Sequence, residues 1–124
     1  ITMITDNCKG TGVGIQLGTS AGYVTSGYTG TYSNLTSTLG TSTLSASVVW
    51  SGVVDASYAG YGTLIFTQLG SGNIWSFVGV GSNVSFTRQE IVSGTVTLPS
   101  TLDRIRITGT ANFTLGSVNI IYEG

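Results

Sequence analysis

Histidine is absent from this 124-residue chain, which excludes Ser-His-Asp and Cys-His nucleophilic centres and the imidazole ligands of most zinc enzymes. Charge is almost as scarce: 7% of the residues are charged and the formal net charge is −1, against roughly 25% charged in an average soluble protein. The four basic residues, Lys9, Arg88, Arg104 and Arg106, are too few to follow a phosphate backbone, so no nucleic-acid partner is expected. The single cysteine, Cys8, leaves no intrachain disulfide to form. No segment approaches the roughly 18 consecutive apolar residues that a membrane-spanning helix needs, and no membrane insertion is expected. The opening Ile1 to Thr5 has neither the apolar stretch nor the small-residue cleavage site of a secretory signal.

What remains is a chain that is 40% hydrophobic and relies on Ser, Thr, Asn and Gly for its polar surface. Its length suits one two-layer core, so a single domain over residues 1–124 is expected. Residues 1–43 form a Gly/Thr/Ser/Tyr-rich part and residues 44–124 supply the core strands. Helical periodicity is nowhere sustained. Short β-branched runs separated by glycine predict an all-β fold, an antiparallel β-sandwich of jelly-roll-like type.

Individual strands follow from alternation of side chains between two faces. Leu44, Ala46, Val48 and Trp50 alternate with serines. Thr63 to Leu69 is apolar on both sides, with Leu64 and Phe66 on one and Ile65 and Leu69 on the other, which suits a central or interface strand. Gly70 to Asn73 then makes a turn of hairpin length. The returning strand sets Trp75 and Phe77 against Ile74, Val78 and Val80. Val96 and Leu98 alternate with Thr95 and Thr97 before Pro99, which cannot donate to a ladder and ends the strand or marks an edge. Ile105 and Ile107 alternate with Arg104 and Arg106, and Val118, Ile120 and Tyr122 with Asn119, Ile121 and Glu123. A hairpin between these last two strands would put Arg106 near Asn119 and Arg104 near Ile121 and Glu123.

Residues that could carry chemistry are few. The five carboxylates, Asp6, Asp55, Glu90, Asp103 and Glu123, are at least a dozen residues apart and sit in no motif. Neither a paired-carboxylate glycosidase site nor a calcium loop is expected, and no catalytic residue, metal or cofactor is assigned. Gly10, Gly12 and Gly14 lack the GK[ST] ending and strand-to-helix setting of a phosphate loop and read as loop glycines. Aromatic rings are the one device for a small ligand, because sugars stack on Tyr and Trp faces while neighbouring amides and hydroxyls hold their hydroxyl groups. Tyr58 and Tyr61, in the 55–62 loop, and Trp75 are the candidate ligand-binding residues, although Trp50 and Trp75 also lie in strand patterns that suit a core. Tyr23, Tyr28 and Tyr32 lie in the glycine-rich part, where each ring can bury area while its hydroxyl stays bonded. With Ile65 they are the candidate subunit-interface residues.

The stretch from Gly62 to Gly124 resembles the C-terminal β-sandwich domains of bacteriophage tail fibres and other virion appendages. GTLIFTQLGSGNIWSFVG, GTVTLPSTLDRIRITGT and FTLGSVNIIYEG carry the likeness, in that order. It covers about half of the chain, and its motifs are structural. The resemblance implies a non-catalytic virion protein, either a fibre tip, a receptor-binding module or a capsid decoration protein, resident on the extracellular particle. The partners it implies are copies of itself, with a trimer favoured, other virion proteins and a host-surface glycan. A free carbohydrate-binding module is the competing reading of the aromatics.

Overall fold

The computed structural model describes residues 1–9, 12–36, 39–51, 59–83, 88–110, 112–113 and 115–123. Two antiparallel sheets make up the described structure and they do not close into a barrel, as the alternation of the sequence requires of a sandwich. The strands are β1 (Thr2–Lys9), β2 (Val13–Thr19), β3 (Gly22–Tyr23), β4 (Thr29–Leu35), β5 (Leu39–Thr43), β6 (Val48–Ser51), β7 (Ala59–Leu69), β8 (Ile74–Asn83), β9 (Arg88–Thr97), β10 (Arg104–Thr108) and β11 (Leu115–Ile121). The larger sheet has seven strands in the order β11-β1-β7-β8-β9-β4-β5. The smaller has four: β10 on one side of β2, with β3 and β6 both pairing to its other side.

The meander β7-β8-β9 is the backbone of the large sheet. Leu69 pairs with Ile74 across the 70–73 turn, where Gly70 takes φ 63°, a left-handed conformation that glycine adopts without a Cβ clash. Trp75, Phe77, Val92 and Val96 face inward from β8 and β9, as their alternation predicts. They meet Val13, Ile15 and Leu17 of β2 and Val48 of β6 in one core. Phe77 stands near its middle, with ring centroids 6.1 Å from Phe66 and 6.4 Å from Tyr28, both tilted.

Glycines inside the strands make room for these rings. Phe77 pairs with Gly94, which pairs in turn with Gly30. A Cβ on Gly94 would lie 2.2 Å from the Thr29 carbonyl oxygen and 2.8 Å from Phe77 Cζ, so any side chain there would push β4 from β9 or displace the ring. The sequence reading took glycine as punctuation between strands. Here β8 and β9 run on through Gly79, Gly81 and Gly94: Leu64 and Val92 lean over Gly79 and Phe77 over Gly94, while the Tyr61 carbonyl lies close to Gly81. Gly14 likewise belongs to β2 rather than to a loop.

Two further expectations are corrected. Tyr28 and Tyr32, in and beside β4, are 2% and 4% exposed, so their rings belong to this chain's own core and are not available to another subunit. Tyr28 is held there because its hydroxyl accepts a hydrogen bond from the Leu17 amide at 2.8 Å. The strands β10 and β11 do not form a hairpin: β10 pairs with β2 and β11 with β1, in different sheets. Arg106 therefore lies opposite Gln16, not Asn119. Strand β9 ends at Thr97, two residues before Pro99, and the Leu98 amide bonds instead to the Asn73 carbonyl at 2.8 Å.

The Tyr28 bond is testable. Tyr28→Phe leaves the Leu17 amide buried without an acceptor and should lower stability by about 1–3 kcal/mol in urea unfolding. Burial, partly opposed by the Leu17 bond and by Arg106, raises the phenol above its ordinary 10.0. The unfolded chain therefore ionises first as pH rises. This stabilising contribution is complete below pH 10.0 and falls away as pH climbs toward the folded value. The wild-type stability curve should accordingly fall more steeply above that pH than that of Tyr28→Phe.

Candidate functional site

Because β-strand side chains alternate, burying one face of the large sheet turns the other outward. On this outward face Ile4, Ile65, Val78, Val80, Ile91 and Ile121 are all exposed, although all six are large and apolar. Register gathers them. Ile65 pairs with Val78 and with Thr2, which pairs with Ile121; Val80 pairs with Ile91 and, through Thr63, lies in the row that contains Ile4. Val80 and Ile91 are the most open of the six, at 58% and 51%. Across β7, β8, β9 and β4 every outward-facing described residue is uncharged: the apolar side chains are separated only by Thr, Ser, Gln89 and Tyr61. Monomeric proteins rarely expose contiguous apolar patches of more than a few hundred Å².

Ile65, expected at a subunit contact, is 41% exposed within this patch. Tyr23, the other expected contact residue, is on the opposite side of the molecule. Its ring lies 4.2 Å from the Arg106 guanidinium carbon in a cation–π contact. That side is polar: Arg106 donates to Gln16 Oε1, from Nε at 3.1 Å and also from a terminal nitrogen, and Gln16 Nε2 donates to the Ala46 carbonyl at 2.8 Å. Asp103 and Arg104 form an exposed ion pair at 2.6 Å. The hydrogen bond and charge of Arg104 lower the Asp103 carboxyl from its ordinary value, and Asp103 raises the guanidinium in turn. The two outer surfaces of the sandwich thus have opposite chemistry.

Tyr61 lies in β7, not in a loop, at one end of the apolar face. It lines an open groove of about 400 Å³ together with Thr63, Val80, Ser82, Gln89 and Ile91. The floor passes over Gly62 and Gly81, which pair with each other. An aromatic ring, two aliphatic side chains, two hydroxyls and an amide are groups that hold a neutral, ring-shaped polar ligand. Tyr58 lies outside the described residues. Trp75, the third expected ligand contact, is 7% exposed and packed in the core, so its ring is not a binding surface.

Glu90 also lines the groove; it is buried and held by Arg88 at 3.1 Å and by the Tyr32 hydroxyl, which donates to it at 2.9 Å. Arg88 also donates to the Tyr32 oxygen at 2.9 Å. Burial pulls the Arg88 guanidinium down, but Tyr32 and Glu90 outweigh it and the net shift is upward. The sequence places Glu90 among carboxylates that are solvated or ion-paired, without naming a partner. The Arg-x-Glu spacing on one strand was the available signal, since residues two apart share a face. Among the described residues no group of three metal-ligating side chains gathers.

Removing the carboxylate while Arg88 stays largely buried should cost about 3–5 kcal/mol. Glu90→Ala is expected to show this loss in chemical denaturation, and Glu90→Gln, which retains an acceptor for both neighbours, a smaller one. Compared with protein-family models, with curated proteins and with solved structures, the chain matches none.

Proposed function

We propose that the chain is a non-catalytic structural subunit of a bacteriophage virion, a fibre, receptor-binding or decoration component, which acts through assembly with other copies and through adhesion at the particle surface. The observation that carries this reading is the apolar-rich outer face of the seven-stranded sheet, uncharged across β7, β8, β9 and β4 among the described residues. Water penalises such a face, and burial against another subunit removes the penalty at roughly 25 cal/mol per Å². The scarcity of charge, the absence of histidine and the tail-fibre resemblance of Gly62 to Gly124 support the same reading. Two carboxylates support a non-catalytic role, since Glu90 is engaged with Arg88 and Tyr32 and Asp103 with Arg104.

A second reading, a carbohydrate-binding module, is favoured by the Tyr61 groove. A sugar ring would stack on Tyr61, with its hydroxyls toward Ser82, Gln89 and Thr63, and the proposed host-surface glycan is a ligand of this class.

Two measurements separate these readings. Mass spectrometry of particles purified from the source culture should find the chain as a component at fixed copy number. Its absence from particles, joined to a glycan-cleaving rate that vanishes when one acid is neutralised, would overturn the structural reading. A glycan array tests the second: retention by the wild type that disappears in Tyr61→Ala is the expected result for a binding module, and no retention disposes of it.

A further inference from the structure

We infer that the outer face of the seven-stranded sheet is a two-fold interface, and that its occupant is the same face of a second copy of this chain. The inference rests on the assembly reading above and names the partner and the surface. Three observations carry it.

The first is charge. The outward positions of β7, β8, β9 and β4 bear none, so the face offers a heterologous protein no charge pattern to match. Over these four strands an identical face desolvates no charge on either side. The second is extent. Strands about 4.8 Å apart and about 30 Å long make β7, β8, β9 and β4 roughly 20 Å by 30 Å, or ~600 Å². That is the lower end of the standard interface range, about 600 Å² per partner, before Ile4 and Ile121 are added. The third is location. The apolar residues share one face of the large sheet, and Arg104, Arg106 and the adjoining Asp103 lie on the smaller sheet's side. One self-complementary patch closes an isologous pair. A closed trimer needs two different patches on each subunit, so this geometry replaces the trimer implied by the resemblance with a dimer.

In the pair the sheets stack about 10 Å apart with strands inclined by about 30°, as in aligned sheet packing. Val78, Val80 and Ile91 lie near the centre of the contact, and Ile4, Ile65 and Ile121 extend it across β7 and β1 to the β11 edge. Val80 and Ile91 are also walls of the Tyr61 groove, so the second copy covers part of that groove.

Sedimentation velocity across the micromolar range tests the inference. The wild type should sediment at twice the 12.8 kDa chain mass. Val80→Lys combined with Ile91→Lys should sediment as a single chain with an unchanged circular-dichroism spectrum, while Arg104→Glu, on the other sheet, should remain dimeric. Should the lysine variant fail to fold, Val78→Thr with Val80→Thr and Ile91→Thr keeps strand-compatible, uncharged residues and should weaken self-association by about tenfold or more. A wild type that stays at one chain mass, a trimeric mass, or folded face variants that dimerise like the wild type would each overturn the two-fold. A single-chain mass together with presence in purified particles would remove the dimer and leave the assembly reading standing.

Discussion

Phe77 lies across the inner face of the large sheet where β9 and β4 meet backbone to backbone through Gly94 and Gly30. Its ring fills the space that those glycines leave, and it touches Phe66 on β7 and Tyr28 from the segment leading into β4. The close approach of two backbones and the filling of the core are thus one arrangement. Leu64, Gly79 and Val92 repeat it one row away, large beside absent, where a Cβ on Gly79 would come within 2.8 Å of Leu64. Interiors pack at crystal-like density, so these rows fix how near β4, β9, β8 and β7 lie and hence where their outward residues fall.

The outward face inherits its order from that packing. Side chains that point away from Phe77 and Leu64 are Ile65, Val78, Val80 and Ile91, and the register that aligns the core aligns them as well. A sandwich needs only one apolar face on each sheet, and here the large sheet has two. The inner one is covered within the chain and the outer one is exposed. Val80 and Ile91 line the Tyr61 groove as well, so the proposed second copy and the proposed sugar would compete for those two side chains.

Much of this was legible beforehand, though unevenly. The alternation in Ile74 to Val80 and in Thr95 to Leu98 divided the residues between the two faces correctly, and the apolarity of Thr63 to Leu69 on both sides marked β7 as an interior strand of its sheet. The glycines misled, because a strand glycine and a turn glycine look alike until the neighbour leaning over it is known. Tyr28 and Tyr32 misled as well. A tyrosine in a Gly/Ser-rich stretch reads as a surface or contact residue, yet the Leu17 amide and Glu90 give their hydroxyls partners inside the core. Those partners are 11 and 58 residues away.

By itself the sequence determined the period-two alternation and with it an all-β architecture, together with the poverty of charge and the lack of histidine that narrow the chemistry. Only the tertiary structure decided which side of each strand is covered, which strands share a sheet, and which exposed residues become neighbours. The physical reason is that alternation is a local property of the extended backbone, whereas covering a face requires elements far apart in the chain. Thus β2 lies against β10, some 90 residues later, and β1 is enclosed between β7 and β11. No local pattern encodes such pairings. They arise when the arrangement that fills the space around Phe77 is also the one that leaves the fewest backbone groups unpaired.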